Sequence, residues 1–493
     1  MKRSRHRVRK VFGAVVVFAL VGVAVFFATQ FFTKTGIFRV PGVVYYDESL
    51  KPDELAVLEG IFTEEVDLDK DVSISANYST EKPQLEAGEY IYNIYVPVTD
   101  FYDTETDIQL DDPVARIDAD NEGFEFIQLS DLDNTKKLLS LNGEYYLDDL
   151  DGGAIYRIIK FDSEKYTDEI APLVTEVFTK EWPTEDDVLT FAQTGVTAMS
   201  RGMNSKLKLV GGDATYFSAD IRDFLSGFDL THTSNESSFT DYASSENICS
   251  DKRFIGTLLD IGLDIVELTG NHNQDCGDTA AIESIDTYNE NNIKIVGGGK
   301  TAEEAAKPLQ ISEKGTPITF LAYNLSTGGA TYDATPGANQ YYEENAASEI
   351  AAAKERGDFV IVDIQYYECS AYASEYEDST CDYANSAAGD QIGFFRHLVD
   401  LGADVVVGTS AHQPQTFELY GDGAIYYGLG NLFFDQVWWP GTTRSLVLVH
   451  YFYNGELLQT RIVPTVYGSD MRTKLLDEET AKWFLGRLVK ARP

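Results

Sequence analysis

The chain has 493 residues, 43% of them hydrophobic, which is enough to build two or three domains with packed cores. It carries 39 lysine and arginine residues against 80 aspartate and glutamate residues, and six of the basic ones lie in the first ten positions. The remaining 483 residues hold 33 basic against 80 acidic side chains, a formal charge of −47. Such a body repels nucleic acid and anionic lipid surfaces, and we exclude both as its binding partners.

The N-terminus has the pattern of a membrane anchor. A basic tail over residues 1–10 precedes 22 residues without a charge, from Val11 to Phe32. A helix needs about 20 apolar residues to cross a bilayer, and a positive flank keeps its end in the cytoplasm. A cleaved signal peptide is the alternative, but its apolar region would span roughly 7–15 residues and end at small side chains. We expect a single-pass protein of the cell membrane, with its N-terminus cytoplasmic and its main body, after residue 35, extracytoplasmic.

Residues 40–180 predict a separate α+β domain. Alternating strand-like runs, such as 90–98 and 153–159, are separated by turns and acidic clusters. Helical patterns lie at 53–62 and 168–178. No motif in this region indicates a catalytic or binding site, and its acidic runs are typical of solvent-exposed surfaces.

Residues 186–470 predict an α/β layered domain, followed by a C-terminal helix within 471–493. Strand and helix patterns alternate, which is the signature of such folds. The predicted strands are 189–193, 264–268, 317–322, 358–364, 404–407 and 424–428. The predicted helices are 251–262, 278–291, 341–356 and 387–401. Functional side chains in these folds collect on loops after the carboxyl ends of the strands.

Two polar clusters follow early strands of this region. The first contains Asn235 and Glu236, and a carboxylate at a strand end can bridge two hard cations. The second runs through a glycine to Asn271 and His272, with Asp275 three residues later. The amide oxygen of Asn271 can bind a metal, and His272 can exchange a proton near neutral pH. Alone, the first cluster is typical of a turn, whereas the position of the second after a strand favours function.

Two further clusters follow later strands. A buried strand pattern ends at Gln365, and the loop after another strand presents His412. A third strand end places Asn431 in the run YYGLGNLFFD. Each of these signals is weak by itself.

The order and spacing of the clusters together resemble the CapA family of poly-γ-glutamate capsule biosynthesis. The motifs are NE, GNHxxDxG, a strand with QxxE, GxxAHxPQ and YYGLGNLFFD, within residues 188–465, and they match best over 262–277 and 400–435. The resemblance implies a calcineurin-like metallophosphatase fold, a four-layer sandwich. It also implies single-pass anchoring and a role in making or exporting poly-γ-glutamate. A cell-envelope polymer or partner proteins of its synthesis are then the expected partners.

The resemblance also implies roles for single residues at a two-metal site. Glu236 would be the bridging or metal-holding carboxylate, Asn271 a ligand of the second metal and His412 the last imidazole ligand. His272 would be the catalytic acid or electrostatic stabiliser beside the substrate. The weaker candidates for ligands or for residues supporting the ligands are Gln365, Asn235, Asp275 and Asn431.

Three expected ligands are replaced in this sequence. Val196 stands where the family has an aspartate, and Gln365 and Ser410 stand where it has histidines. Valine cannot bind a metal, and neutral glutamine and serine are weaker ligands than imidazole. Even losing a residue that only supports a ligand typically costs about 10–100-fold in metal affinity or activity. We therefore expect no metal or one weakly bound divalent cation (Mn, Zn or Mg), and not a dinuclear site.

Two classes of function stay open on this evidence. One is a binding or scaffold protein of polymer synthesis or export with weakened or lost two-metal catalysis. The other is an active metal-dependent, phosphatase-like hydrolase at the cell surface.

The four cysteines predict disulfides, because an even count is typical of exported proteins. Of the three pairings, we favour Cys369–Cys381, which closes a short loop, together with Cys249–Cys276; four free buried thiols are the alternative. A bond between Cys249 and Cys276 would tie the loop after Glu236 to the loop after His272. It could then hold the shape of the site in place of a metal.

Overall fold

The computed structural model describes residues 5–6, 42–63, 68, 71–162, 170–178, 182–325, 328–331, 333–366 and 390–493. They form two compact units, one with the described residues up to Val98 plus 107–131 and 139–182, the other with 99–106, 132–138 and 183–493. The predicted anchor at 11–32 and the predicted Cys369–Cys381 bond lie outside the described residues. Within the described part of the chain, no helix has the length and apolar character needed to cross a membrane.

The first unit is a mixed sheet covered by two helices. Its main elements are β1 (Val44–Tyr46), α1 (Pro52–Ile61), β2 (Val72–Ser79), β3 (Glu89–Asp100), β4 (Glu125–Gln128), β5 (Ile155–Asp162) and α2 (Ala171–Phe178). The strand order is β1-β2-β5-β3-β4, and the short segment Arg5–His6 pairs with β1. Apolar side chains of both helices and of β1, β2 and β5 form one core. Both helices predicted from the sequence of this region are observed.

The second unit contains two sheets and the helices around them. Its main strands are β6 (Val188–Thr197), β7 (Leu230–Asn235), β8 (Ile265–Glu267), β9 (Lys294–Val296), β10 (Leu309–Glu313), β11 (Thr316–Asn324), β12 (Phe359–Gln365), β13 (Val405–Gly408), β14 (Phe417–Tyr420), β15 (Gly423–Tyr426), β16 (Asn431–Phe433), β17 (Arg444–Tyr453), β18 (Glu456–Tyr467) and β19 (Thr473–Leu475). Its main helices are α3 (Gly202–Leu209), α4 (Ile255–Asp260), α5 (Asp278–Glu290), α6 (Glu343–Arg356), α7 (Gln391–Asp400) and α8 (Glu478–Lys490).

The first of these sheets has the order β9-β8-β7-β6-β17-β18-β19, with β16 beside the end of β6, and the second has the order β10-β11-β12-β13-β15-β14. All six predicted strands and all four predicted helices are present, so the alternating pattern indicated the correct class of mixed α/β fold. The long antiparallel pair β17–β18 was not predicted.

The start of helix α7 follows from the local sequence. This helix begins at Gln391 because the carboxylate of Asp390 accepts a hydrogen bond from the Gly393 amide at 2.9 Å.

The two sheets face each other across a shared apolar core. Phe191 and Leu448 of the first sheet and Phe320 and Ile361 of the second belong to one buried cluster. Helices α6 and α7 cover the outer face of the second sheet, and α5 packs beside β9 of the first. Strands β6, β7 and β8 are parallel to one another, as are β11, β12, β13 and β15. Within each of these two sets, the carboxyl ends of the strands therefore meet at one edge of the sheet.

Candidate functional site

Three predicted site residues meet where β7, β8 and β12 end. The amide nitrogen of Gln365, Nε2, donates to Glu236 Oε1 at 3.3 Å and to Asn271 Oδ1 at 3.2 Å. Glu236 and Gln365 are fully buried. A Cβ atom at Gly270 would lie only 2.6 Å from the Cα atom of Glu236, so glycine is needed for this close approach. The buried carboxylate of Glu236 and the half-buried amide of Asn271 are thus joined by the –NH₂ group of Gln365.

His412 reaches the same cluster from the loop after β13. Its Nε2 atom lies 3.7 Å from Glu236 Oε2, and its ring stacks on Phe434 at a centroid distance of 5.1 Å. Its Nδ1 atom lies 2.9 Å from Asn431 Oδ1. We call Glu236, Asn271, Gln365, His412 and Asn431 the pocket cluster. Prediction from the sequence placed all five at strand ends, and the structure brings them together.

Asn431 determines which nitrogen of His412 carries the proton. The amide Nδ2 of Asn431 points to three oxygen atoms, those of the Gln436 side chain, the Thr442 carbonyl and the Tyr467 hydroxyl. The amide oxygen must therefore face His412, and it can only accept, so Nδ1 of the imidazole is the donor. The other nitrogen, Nε2, is then directed at Glu236. Of the two roles left open for Asn431 by the sequence, this contact favours support of His412.

Replacing Asn431 with alanine should release this orientation. We expect N431A to destabilise the second unit by about 1–3 kcal/mol, because a buried imidazole N–H loses its acceptor and the hydrogen bonds donated by the Asn431 amide are lost. ¹⁵N NMR of His412 should change from the pure Nδ1–H tautomer to a mixture of tautomers. N431D, which keeps an acceptor at Oδ1, is the matched control and should retain the tautomer. An unchanged His412 spectrum in N431A would contradict the assignment.

His272 is more exposed than the cluster. Its Nδ1 atom lies 2.8 Å from Asp275 Oδ2, and the side chain retains 24% exposure. Asp275 therefore supports His272. This pair could hold a proton beside a substrate, which is the role the resemblance implies for His272.

Asn235 lies in a supporting position. Its amide nitrogen donates to the Ser237 carbonyl and the Tyr288 hydroxyl, both at 2.8 Å, and its Oδ1 accepts from Thr197. The Thr197 carbonyl in turn accepts from the Glu236 amide. Asn235 thus stabilises the strand end that carries Glu236 and does not supply a ligand atom.

The donor set decides which metals fit. A two-metal site needs several carboxylate and imidazole ligands around ions roughly 3.5–4 Å apart. Here Val196 is buried, with its backbone paired to Gly430, and Ser410 is buried two residues before His412. Within the described ranges, no three His, Cys, Asp or Glu side chains converge as metal ligands. One carboxylate, one imidazole and neutral amides do not fit a dinuclear centre.

Comparison with known families settles which family this is. A family model described as "Bacterial capsule synthesis protein PGA_cap" matches residues 190–436, which is half of the chain. The chain belongs to this family. The matched segment contains the whole pocket cluster.

Several curated proteins are similar to this PGA_cap family member. The "PGA biosynthesis protein CapA" of Bacillus subtilis (strain 168) is 25% identical over 277 residues, which are 55% of this chain and 70% of that protein. The "Capsule biosynthesis protein CapA" of Bacillus anthracis is 23% identical over 287 residues, 56% of this chain and 66% of that one. Among solved structures, Haemophilus influenzae NAD nucleotidase (NadN) matches at 10% identity with a TM-score of 0.30, covering 60% of this chain and 55% of that one.

A disulfide bond joins two loops that flank the pocket of this family member. Cys249 and Cys276 are bonded, with their Cα atoms 6.0 Å apart, which confirms this predicted pairing. The Tyr242 hydroxyl also donates to the Cys276 carbonyl at 2.7 Å. The loop after Glu236 is thereby tied covalently to the loop after His272.

Sequence reasoning missed a second polar group between the two sheets. Glu267, Asp363, His232 and Gln193 are fully buried there. Gln193 Nε2 donates to Asp363 Oδ1 at 2.7 Å, and His232 Nε2 lies 3.2 Å from Asp363 Oδ2. The sequence did contain a signal for this group. Glu267 and Asp363 each lie within an apolar strand run, and acids in such buried positions are almost always paired with another polar group.

Sequence reasoning also missed a pair that supports the wall of the pocket. Asp435 accepts from Arg201 Nη2 at 2.5 Å and from the Gly202 amide at 2.9 Å. The Arg201 guanidinium lies 5.1 Å from the centroid of Phe434, the ring on which His412 stacks. The conformation of Arg201 is left-handed, with φ 47°. Asp435 ends the run YYGLGNLFFD, and this was the available signal.

Proposed function

We propose that this protein is a membrane-anchored component of cell-envelope polymer synthesis or export, of the poly-γ-glutamate type, with weakened or lost two-metal catalysis. The family match and the similarity to the CapA proteins of the two Bacillus species support a role in making or exporting such a polymer. The two facing sheets of the second unit, with α6 and α7 on the outer face of one of them, support a fold of the calcineurin-like metallophosphatase type. The acidic body suits an exposed position outside the membrane.

The hydrogen bonds of Gln365 are the main support for the proposal that two-metal catalysis is weakened or lost. An amide –NH₂ group joins the oxygen atoms of Glu236 and Asn271 at 3.3 and 3.2 Å. In a two-metal site, cations hold such oxygens together. A neutral donor at this point lets the cluster pack without the charge of a metal. The pocket then serves to bind a ligand instead of activating a water molecule.

One divalent cation is the most that this donor set supports. Glu236, His412 and Asn271 offer a carboxylate oxygen, the Nε2 atom of an imidazole and an amide oxygen, and Gln365 could add a second amide oxygen by turning its side chain. Bound there, Mn²⁺, Zn²⁺ or Mg²⁺ would supply Lewis acidity. Neutral amide ligands make the binding weak.

A membrane anchor at residues 11–32 is part of the proposal. The pairing of Arg5–His6 with β1 places these residues beside the body, whereas an uncleaved anchor holds them in the cytoplasm, so the two arrangements exclude each other. Each hydrogen bond of that pairing contributes on the order of 1 kcal/mol. Insertion gains roughly 0.3–0.6 kcal/mol for each of the many Val, Leu and Phe residues of the segment, several kcal/mol in total. Membrane insertion of residues 11–32 is therefore favoured over the pairing of Arg5–His6 with β1. Protease added to intact cells should digest the body and spare an N-terminal tag; digestion of the tag would refute the anchor.

The alternative function is an active metal-dependent hydrolase. The pairing of His272 with Asp275 favours it, since a histidine positioned by a carboxylate beside Asn271 is suited to proton transfer.

The test is metal content followed by turnover, using the full chain purified in detergent. We expect far less than one metal ion per chain and no phosphoester hydrolysis with added Mn²⁺ or Zn²⁺. Stoichiometric metal, together with turnover that H272A abolishes, would establish the hydrolase instead. H397A is the matched control, because His397 is an exposed histidine on α7 that pairs with Glu343.

A further inference from the structure

Glu267 supports the turn that carries Asn271 and His272. It is the last residue of β8 and is fully buried between the sheets. Its Oε1 atom accepts hydrogen bonds from both the backbone amide and the hydroxyl of Thr269. The Thr269 carbonyl accepts from Asn324 Nδ2 at 2.6 Å, which ties the same turn to the second sheet. The side chain of Glu267 thus fixes the position of Thr269, the first residue of the turn, through two hydrogen bonds.

The other oxygen of Glu267 lies in a negative environment. Its Oε2 atom is buried, and the Ser234 hydroxyl is a polar neighbour of the carboxylate. The charge of Asp363 on β12 acts on this carboxylate. His232 on β7 pairs with Asp363, and His450 on β17 lies near His232. An ionised carboxylate at this position would be a desolvated charge beside a second carboxylate.

We propose that Glu267 is a positioning residue which holds the Thr269–His272 turn in its protonated form, so that the geometry of the pocket depends on pH. The protonated acid keeps its carbonyl oxygen for the two bonds from Thr269. Its O–H becomes a donor for neighbouring acceptors such as the Ser234 hydroxyl, which lies beside it. The ionised acid is instead repelled by Asp363 and drawn toward water, and the turn moves with it. This inference holds whether the pocket binds a ligand or cleaves one.

The direction of the pH effect follows from burial. Burial first, and the charge of Asp363 second, raise the pKa of Glu267 to about 7, against the opposing hydrogen bonds from Ser234 and Thr269. The folded chain therefore keeps this proton in a range where the unfolded chain has lost it. The resulting contribution to stability is complete below the ordinary glutamate pKa and is lost as pH rises toward 7.

His450 acts in the opposite direction. Burial, with the nearby charge of His232, lowers the pKa of His450 to about 3. Its contribution to stability is complete above the ordinary histidine pKa and is lost as pH falls toward 3. The stability of the wild-type protein mixes both effects, whereas the difference between wild type and E267Q isolates Glu267.

Hydrogen–deuterium exchange of the full chain tests the proposal. Glutamine keeps the carbonyl acceptor and replaces the O–H with an N–H donor, so E267Q imitates the protonated acid at every pH. After correction for intrinsic exchange rates, we expect wild-type peptides covering 268–277 to lose about 10-fold in protection between pH 6 and pH 8.5. E267Q should stay protected at both values. E349Q is the control, because Glu349 is a partly buried acid outside the pocket whose pKa is also raised and which accepts from the Tyr323 hydroxyl, and it should behave as wild type.

Two outcomes would overturn the proposal: wild-type protection that is the same at both pH values, or an E267Q variant that loses protection in parallel with wild type. If E267Q does not fold, ¹³C NMR of the Glu267 carboxyl group in the wild-type chain decides instead. A titration midpoint above about 6 supports the proposal, and a midpoint near the ordinary glutamate value overturns it.

Discussion

The triple variant V196D/Q365H/S410H is expected to bind Zn²⁺ at least about 10³-fold more tightly than the wild-type protein, since it adds one carboxylate and two imidazoles to the pocket. Gln365 contacts both Glu236 and Asn271, so a histidine there enters the existing cluster. Val196 pairs with Asn431, the residue that orients His412, and Ser410 lies two positions before His412. Without metal, the variant should be less stable than wild type, because a buried aspartate replaces a valine.

Competition with a zinc chelator measures this affinity, and thermal unfolding with and without Zn²⁺ supplies a second readout. A ligand at about 1,000 times its Kd stabilises the folded state by roughly 4 kcal/mol, so the variant should gain several degrees where wild type gains none. The same triple variant carrying E236Q is the control, and it should lose most of the gain. Equal zinc affinity in wild type and the triple variant would show that these three positions are not the lost ligands.

Removing the disulfide should cost more stability than a single substitution in the pocket such as N431A. The bond closes a loop with a sequence separation of 27, and the chain-entropy relation gives about 3.5 kcal/mol for a loop of this size. We expect C249S/C276S to lower the free energy of unfolding of the second unit by about that amount. It should also loosen the loops after Glu236 and His272, because the covalent tie between them is gone.

Urea unfolding followed by circular dichroism measures the loss, and exchange rates of the two loops report the loosening. Wild type treated with a reductant should converge on the double variant, which serves as an internal control. If oxidised wild type and the double variant unfold at the same urea concentration, the bond does not stabilise the site. Mass mapping of the unreduced protein that finds Cys276 as a free thiol would contradict the bond itself.

Local pattern was sufficient for most elements of the second unit. Strands such as β12 and β13 are short apolar runs bounded by turn residues, and helices such as α6 follow helical periodicity, so each can be read without its neighbours. The pair β17–β18 was missed although β17 carries a strand signal, since eight of its ten residues, in the run RSLVLVHYFY, are buried. The signal of β18 is weaker, because only four of its twelve residues are buried.

The residue types at the strand ends can be read from the sequence alone, and they identified the family. Which of these side chains meet was decided only by the tertiary structure. Asn235 and Glu236 are adjacent in the chain, yet one turns to Tyr288 and the other into the pocket cluster. The role of Gln365 as the link between Glu236 and Asn271, and that of Glu267 beneath the turn, depend on contacts between two sheets distant in sequence. Such contacts arise from packing across a shared core. The sequence of a single strand does not indicate which side chains of other strands it will contact.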